Sequence, residues 1–255
     1  MKIVFSSEKN RIFGDKITIE DQKDFKHLKK VQRIKIGEEI LFYQVEEETQ
    51  YKAKVVDFGK DSIILRVLSS ERLVRSKPEI FIVQALVQKG TFEDELNRLS
   101  ELGVDYLQPI ISRHSQNFGF DDKYMDRLRR ISYEGAKTVG NPFPTTVLKP
   151  FSITKNLNDF KKFISNFDGK TEFLLLTNRV INNVSFDFLD IIPALKGFER
   201  IVICVGSEGG FTDEEEDSII SLGFKPVNLG KRILLRSDTV CVGVSFVLRL
   251  LKPNL

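Results

Sequence analysis

The chain contains 255 residues, 41% of them hydrophobic, which is enough for one large domain or two modest domains with true cores. This composition excludes a disordered or fibrous chain. The net charge is only +3, so affinity for nucleic acid would have to come from local basic clusters.

No segment is predicted to direct the chain to a membrane. The apolar run within residues 1–11 is too short for a signal peptide, and an arginine interrupts the apolar stretch near the C-terminus. Cys204 and Cys241 cannot form a disulfide framework and are predicted to be buried, unreactive thiols. Because only His27 and His114 could join them, a structural zinc site is not expected. We expect a cytosolic protein.

The chain up to about residue 73 shows short runs in which apolar and polar residues alternate, as is typical of strands with one buried face. These runs cover residues 16–19, 39–43, 51–56 and 62–67. Together with one helix between the first two runs, they predict a small β-barrel domain.

The predicted helix lies within residues 22–35. Phe25, Leu28 and Val31 form an apolar stripe at helical spacing, and the rest of the segment is rich in basic side chains. From charge alone, this basic face has two equal interpretations: a solvated surface, or a surface that contacts RNA phosphates.

After a division near residues 72–78, predicted strands and helices alternate. Strands are predicted at 80–87, 106–111, 172–177, 200–205 and 225–229, and helices at 92–102, near 123–136, at 213–222 and at 239–251. This order predicts an α/β domain with a mostly parallel sheet. Ligands of such sheets bind beyond the carboxyl ends of the strands.

A glycine-rich turn, residues 206–211, follows the strand at 200–205. The helix after the turn begins with the Thr-x-x-Glu pattern of a capping box, Thr212 with Glu215. Turns of this kind usually hold phosphate. However, six carboxylates and no basic residue lie between positions 208 and 217, so a phosphate would be repelled.

A ligand with a cationic centre and an adenosine fits this turn better, and S-adenosylmethionine, with its positive sulfonium, is such a ligand. For residues 213–217 an alternative is equally open: these acids only complement the helix dipole and stay solvated. A binding role is favoured for Glu208, since it precedes two glycines inside the turn.

A second informative segment, residues 228–239, ends a strand and leads into the last helix, with Ser237 or Asp238 as the expected N-cap. Arg232 and Arg236 precede that helix, where its dipole disfavours a cation. A position that costs stability indicates a functional role. The alternative is that Arg236 simply pairs with a nearby acid.

Both segments resemble the signatures of the RsmE-type family, the knotted SPOUT-class methyltransferases that modify N3 of a uridine in small-subunit ribosomal RNA. The first signature matches at Gly206, Glu208, Gly209, Gly210, Thr212 and Glu215. The second matches at Leu229, Gly230, Arg232, Ile233, Leu234, Arg236 and Thr239, with Leu235 either as one extra residue before the arginine or as a shift in register. Residues 27–37 resemble the family's N-terminal His-Leu-x-x-Val-Leu-Arg-x-x-x-Gly stretch, and residues 101–109 its Glu-Leu-Gly-Val…Pro element.

The chain departs from the family pattern at four places. Ser207 stands where the family has proline, Asp238 where it has glutamate, and Val240 where it has alanine. Residues 137–141 supply neither the Gln nor the Arg of the family's Gln-Ser-x-Arg element. Aspartate at position 238 keeps the charge of glutamate but reaches one methylene less far.

The resemblance implies a fold and an assembly. Residues 79–255 would form the SPOUT methyltransferase domain with a C-terminal trefoil knot, and residues 1–73 a PUA-like β-barrel that binds RNA. The chain would form a homodimer with its active sites near the subunit interface. Gly243 and Ser245 on the last helix would permit close packing there, or could equally well pack inside one subunit.

The resemblance also implies that three loops enclose S-adenosylmethionine and that the substrate is the decoding region of 16S ribosomal RNA. The implied cofactor-binding residues are Leu176, Thr177, Gly206, Glu208, Gly209, Gly210, Leu229, Gly230, Ile233 and Leu234. The residues expected to contact RNA are Arg11, Lys29, Lys30, Arg33, Lys89, Arg113 and Arg232. No metal is expected to take part.

Methylation of uracil N3 requires loss of a proton from a weak acid and in-line placement of the nitrogen behind the methyl group. We expect Arg236 to stabilise the developing anion at a carbonyl oxygen, and Glu208 or Asp238 to accept the proton or orient the base. Phe118 and Phe120 could stack on an extruded base, or anchor their loop in the core.

Two other functions remain open. A related knotted enzyme could methylate a ribose 2′-hydroxyl or a transfer RNA. A non-catalytic RNA-binding factor could have kept the fold after its site decayed. That factor would bind RNA without the cofactor, and the retained glycines and Arg236 argue against it.

Overall fold

The computed structural model of the protein describes residues 2–6, 9–154, 157–179, 186–229 and 237–252. The chain clusters into two compact units. The first contains Met1–Arg75 and Lys137–Phe143, and the second contains Ser76–Ala136 and Pro144–Leu255.

The first unit is built on a mostly antiparallel sheet. Its strands are β1 (Lys2–Phe5), β2 (Arg11–Phe13), β3 (Lys16–Ile19), β4 (Glu39–Gln44), β5 (Thr49–Phe58) and β6 (Ile63–Arg72). Their order is β1-β4-β5-β6-β3-β2, and only the β1–β4 pair is parallel. Alternate residues such as Ile17, Ile19, Ile63 and Leu65 fill the core, which confirms the period-two pattern of the sequence.

The helix of this unit differs from its prediction after one turn. Helix α1 (Gln22–Lys26) continues as a π-helical turn over His27–Val31, in which the Gln32 N–H donates to the carbonyl five residues earlier at 2.9 Å. The wider turn moves Val31 off the predicted apolar stripe, and it is 67% exposed. Phe25 and Leu28 are buried as predicted.

The second unit contains a parallel sheet, as the order of elements predicted. Its strands are β7 (Glu79–Ala85), β8 (Tyr106–Ile111), β9 (Thr146–Val147), β10 (Phe151–Ser152), β11 (Thr171–Leu176), β12 (Phe186–Asp187), β13 (Arg200–Val205) and β14 (Lys225–Asn228). Their order is β10-β8-β7-β13-β11-β14-β12, with β9 also paired to β8, and every described pair is parallel.

Helices cover both faces of this sheet. They are α2 (Lys89–Glu101), α3 (Asp122–Val139), α4 (Asn158–Ser165), α5 (Phe188–Leu195), α6 (Asp213–Ser221) and α7 (Ser237–Arg249). Side chains of α2, α3, α5 and α7 share one core cluster with Ile80 and Ile82 of β7, whereas α4 and α6 share another with Phe81 and Val83. Successive residues of a strand point to opposite faces, so the sheet is packed on both sides.

The last helix begins earlier than predicted. Helix α7 already includes Ser237 and Asp238, so these residues lie in its first turn and do not precede it as an N-cap. None of the described helices combines the length and apolar character needed to cross a bilayer.

Candidate functional site

The carboxyl ends of three neighbouring strands bring the predicted cofactor loops together. Strand β11 lies between β13 and β14. Leu176, the last residue of β11, pairs with Val227 near the end of β14, and β13 continues alongside to Val205. The loops after these strands therefore start at one edge of the sheet, the edge at which parallel sheets bind ligands.

The glycine turn after β13 is tight enough to require glycine at two positions. A Cβ atom on Gly206 would lie 3.0 Å from Cα of Gly210, inside the turn itself. Gly210 has a φ of +70°, which favours glycine, and a Cβ there would meet no atom within 4 Å. Gly206 is therefore needed because the turn leaves no room for a side chain there. Gly210 is needed for its backbone conformation, and the space beside it is open.

The loop after β8 supports this turn. A Cβ on Gly209 would lie 2.9 Å from Cβ of His114, and the His114 ring nitrogen Nδ1 lies 3.1 Å from the Gly209 carbonyl oxygen. The Ser207 hydroxyl donates to the His114 carbonyl at 3.1 Å. Proline, the family's usual residue at position 207, could not make this last bond, so the departure has a structural role in this chain.

Gln84 is a site residue that the sequence analysis missed. Its fully buried side chain donates from Nε2 to the carbonyls of Ala85, at 3.0 Å, and Gly206, at 3.2 Å. Its Oε1 accepts from the thiol of Cys241. The available signal was a polar residue within an otherwise apolar strand. Neither Cys241 nor Cys204 is in a disulfide, both are buried as predicted, and burial raises the pKa of the Cys204 thiol.

The predicted capping box is confirmed at the start of α6. The Thr212 hydroxyl accepts from the Glu215 N–H at 3.3 Å, and the Thr212 N–H donates to Glu215 Oε2 at 3.0 Å. The other oxygen of this buried carboxylate accepts from the Arg113 N–H at 2.8 Å. Glu215 therefore joins the glycine turn to the loop after β8, and it is not a solvated acid.

Most of the remaining acids of α6 lie close to Arg179, a cation that is distant from them in the sequence. Arg179, in the loop after β11, donates from Nη1 to Asp217 at 2.8 Å, and its Nε lies 3.6 Å from Asp213. Glu216 is buried and accepts from the Thr177 hydroxyl at 2.7 Å. Burial raises the pKa of the Glu216 carboxyl, although the bond from Thr177 opposes that rise. These contacts engage Asp213, Glu216 and Asp217 with the protein itself, whereas Glu214 is exposed.

Glu208 differs from these acids. It is exposed within the glycine turn, and none of the described residues forms an ion pair with it. Two apolar side chains lie at the neighbouring strand ends, the half-buried Leu176 and Leu229, which is 39% exposed. An exposed carboxylate, partly exposed apolar side chains and an open glycine backbone at one sheet edge are suited to a ligand with a cationic centre and an apolar ring.

Part of the predicted site lies outside the described residues. These positions are Gly230, Arg232, Ile233, Leu234 and Arg236. Asp238 belongs to α7, but its side chain is also outside the described part of the structure. The assignments of Arg236 and Asp238 to catalysis therefore stay predictions.

The other residues predicted to contact RNA are exposed. They are Arg11, Lys29, Lys30 and Arg33 in the first unit, and Lys89 and Arg113 in the second. Within the first unit, Lys137 from the segment that lacks the family's Gln and Arg pairs with Asp24 at 3.2 Å. This lysine is therefore engaged with α1.

Phe118 and Phe120 anchor their loop, which is the second of the two interpretations given above. Their rings stack with centroids 5.2 Å apart and meet Phe92 and Tyr124 edge-on at 5.3–6.2 Å. Both pack against the core of the second unit.

Among the described residues, no group of three or more His, Cys, Asp or Glu side chains is placed to hold a metal ion.

Comparison with known proteins agrees with the geometry. The family model described as "RNA methyltransferase domain" matches residues 75–248. The ribosomal RNA small subunit methyltransferase E of Mesomycoplasma hyopneumoniae (strain 232) is 28% identical over 218 residues, which cover 85% of this chain and 86% of that protein. The protein of the same name from Rickettsia conorii is 24% identical over 242 residues, or 93% of this chain and 91% of that one.

The fold has a similar counterpart among crystal structures. The ribosomal RNA small subunit methyltransferase E from Neisseria gonorrhoeae, bound to S-adenosyl methionine, superposes with a TM-score of 0.76 at 21% identity. The match covers 99% of this chain and 98% of that chain. The resemblance inferred from the two signature segments is thereby confirmed.

Proposed function

Since the chain belongs to the RNA methyltransferase family, whose model matches residues 75–248, we propose that it methylates N3 of a uridine in the decoding region of 16S ribosomal RNA, with S-adenosylmethionine as the donor. The observation that carries this proposal is the glycine turn at one edge of the parallel sheet, with an exposed carboxylate beside it. Relatives in three bacterial species are named ribosomal RNA small subunit methyltransferase E, which supports the class of reaction and the RNA substrate.

The residues at the strand ends fit this cofactor. Gly210 leaves space against the backbone, Leu176 and Leu229 offer apolar contact to an adenine ring, and Glu208 offers a carboxylate to a positive centre. The hydroxyl of Thr177 is already bonded to Glu216, so a contribution from Thr177 would come from its backbone. When bound, S-adenosylmethionine supplies a methyl group activated by its positively charged sulfur.

The chain itself must bind the uracil, remove a proton from N3 and stabilise the charge that develops. Arg236 places a cation at a uracil carbonyl oxygen, where the negative charge accumulates. Glu208 or Asp238 accepts the proton or orients the ring. Glu208 is exposed and forms no ion pair with any described cation, which suits it to take a proton from the substrate.

The finer architecture follows the family. Residues 79–255 form the SPOUT domain with a C-terminal trefoil knot, and residues 1–73 form a PUA-like RNA-binding barrel. The protein acts in the cytoplasm. Arg11, Lys29, Lys30, Arg33, Lys89, Arg113 and Arg232 contact the RNA. Their exposure, where the structure describes them, supports this assignment.

The active form is a homodimer that packs through α7. Phe246 is 55% exposed and Leu250 is 71% exposed, and both share a helical stripe with Gly243, at which a Cβ would meet no atom within 4 Å. Ser245, in contrast, is buried within the subunit. An exposed apolar stripe that begins at a small residue and ends just beyond the helix is suited to close packing in a dimer.

The proposal is tested by a transfer assay with labelled S-adenosylmethionine and three substrates: unmodified small ribosomal subunits, naked ribosomal RNA and transfer RNA. Nucleoside mass spectrometry then identifies the product. We expect N3-methyluridine from the small subunit. A 2′-O-methylated nucleoside or a methylated transfer RNA would instead identify another knotted enzyme. RNA binding without cofactor binding or transfer would identify a non-catalytic factor.

A further inference from the structure

The outer face of the sheet in the first unit carries an unusual row of side chains. Phe13 of β2 lies directly opposite Lys16 of β3, Lys16 lies opposite Arg66 of β6, and Arg66 lies opposite Lys54 of β5. Residues directly opposite each other point to the same face of a sheet. We call Phe13, Lys16, Arg66 and Lys54 the outer row. With strands about 4.8 Å apart, it spans about 14 Å.

This face is turned to solvent. Phe13 is 87% exposed, and the three cations of the outer row are also exposed. The residues next to them in sequence, such as Ile17, Leu65 and Val55, point the other way and are buried in the core. Arg11, two residues before Phe13 on the same strand, adds a fourth exposed cation to this face, although its Nε lies 3.1 Å from the Glu20 carboxylate.

The outer row destabilises the fold, and the described contacts compensate for little of this effect. Like charges directly opposite each other destabilise a sheet, and an aromatic ring left in water gains nothing from burial. The described acids offer little compensation. Asp15 lies 3.9 Å from Arg66 in an exposed pair, and Glu39, opposite Lys54, pairs with Lys52 instead. No described carboxylate lies within 4.0 Å of the Lys16 or Lys54 ammonium group.

We propose that the outer row binds a single-stranded segment of RNA, with one unstacked base on the Phe13 ring and the backbone phosphates along Lys16, Arg66 and Lys54. This inference rests on the proposed function, because it takes RNA as the substrate. Single-stranded nucleic acids are held by this combination of a stacking aromatic ring and a basic track. A duplex would hide the base faces, and an acidic peptide would satisfy the cations but not the ring.

The test measures binding of a fluorescent single-stranded RNA oligonucleotide by anisotropy at several salt concentrations. Phe13→Leu keeps an apolar side chain but removes the ring, and it should weaken binding about 5- to 150-fold, the range of one base stacked on an aromatic. Lys16→Gln and Lys54→Gln should each reduce the slope of log affinity against log salt by about 0.7, the value for one phosphate contact.

Two exposed positions of the same unit provide matched controls. Val74, which is 82% exposed, controls for the loss of an apolar side chain as Val74→Ala, and the exposed Lys60 controls for the loss of a charge as Lys60→Gln. Both should bind RNA like the wild type. Unchanged affinity in Phe13→Leu, or losses in the controls equal to those in the outer row, would overturn the inference. Binding of a poly-glutamate peptide that depends equally on Phe13 would overturn the choice of partner.

The same variants separate this inference from the proposed function. Each should bind S-adenosylmethionine with wild-type affinity in calorimetry, since the substitutions lie on a different unit from the glycine turn. Loss of RNA binding in Phe13→Leu supports the inference even if the wild type transfers no methyl group. Full methylation of RNA by a wild type whose binding does not depend on the outer row refutes the inference alone.

Discussion

The hydroxyl of Thr177 donates a 2.7 Å hydrogen bond to the buried carboxylate of Glu216, and so fastens the loop after β11 to the helix that follows the glycine turn. The same hydroxyl accepts from the Arg179 N–H at 3.0 Å. Thr177 therefore links the loop after β11 to α6, the helix that the glycine turn leads into, through one hydrogen-bonded contact.

Replacing Thr177 with valine should destabilise the protein, because it removes this hydrogen bond. Thr177→Val keeps the shape but leaves the Glu216 carboxylate without its donor, which should lower the free energy of unfolding by about 1–3 kcal/mol. Thr177→Ser retains the hydroxyl and is the matched control. Chemical denaturation of both variants checks the prediction, and equal stability of the two would show that the bond contributes little.

The pH dependence of stability should reveal the buried state of Glu216. Its pKa is raised in the folded protein, mainly by burial, so the folded state binds the proton more tightly than the unfolded state. The resulting stability is fully present below the unfolded pKa and is lost as pH rises through the folded pKa. Glu216→Gln stays neutral and should lack this loss.

The measurement is the difference in thermal midpoint between wild type and Glu216→Gln from pH 4 to pH 8. The difference should move in favour of the variant as pH rises. Glu214→Gln, at an exposed position of the same helix, is the control, and the pKa of the Glu214 carboxyl is lowered by its hydrogen bonds to the helix N-terminus. Its difference should move the other way. Parallel curves for the two variants would contradict the burial argument.

Two buried glutamines allow a sharp test of how the glycine turn is held. Gln84 donates to the Gly206 carbonyl at 3.2 Å, and Gln108 on the neighbouring strand makes a similar bond to the Lys149 carbonyl at 2.9 Å. Gln84→Leu should weaken S-adenosylmethionine binding about 5- to 10-fold, since one neutral hydrogen bond contributes about 1 kcal/mol. Gln108→Leu should lower stability but leave this affinity unchanged. Calorimetric titration of both variants distinguishes them.

The sequence could predict the elements of the site but not the contacts between them. The strand, the glycine turn and the Thr212 cap are local patterns within a dozen residues, and each was found in the structure. Arg179 contacts acids more than 30 positions away, and Gln84 reaches a carbonyl more than 120 positions away, so no local pattern indicates either contact. The exposure of Val31 follows from a π-helical turn that helical spacing alone does not predict.

Alanine at the glycines should separate steric from conformational effects. At Gly206 a Cβ would meet backbone atoms 3.0–3.1 Å away, so Gly206→Ala should distort the turn and abolish cofactor binding. Gly210→Ala meets no atom but is strained by its positive φ, at about 1–2 kcal/mol. Gly90 lies in helix α2 with open space around it, and Gly90→Ala should be neutral or stabilising. Unfolding curves and cofactor titrations of the three variants check this order.

Substitutions of Arg236, Glu208 and Asp238 should differ in their effects on the rate of methyl transfer and on cofactor binding. Arg236→Ala should abolish methyl transfer while S-adenosylmethionine still binds, because the guanidinium acts on charge that appears only on the uracil. Parallel loss of binding and transfer would refute that role. If Glu208 accepts the proton, Glu208→Gln should lower kcat about 10²- to 10⁴-fold, and Asp238→Asn should change it far less. The reverse order would assign the proton to Asp238. Single-turnover assays with small ribosomal subunits, run beside cofactor titrations, measure both quantities for each variant.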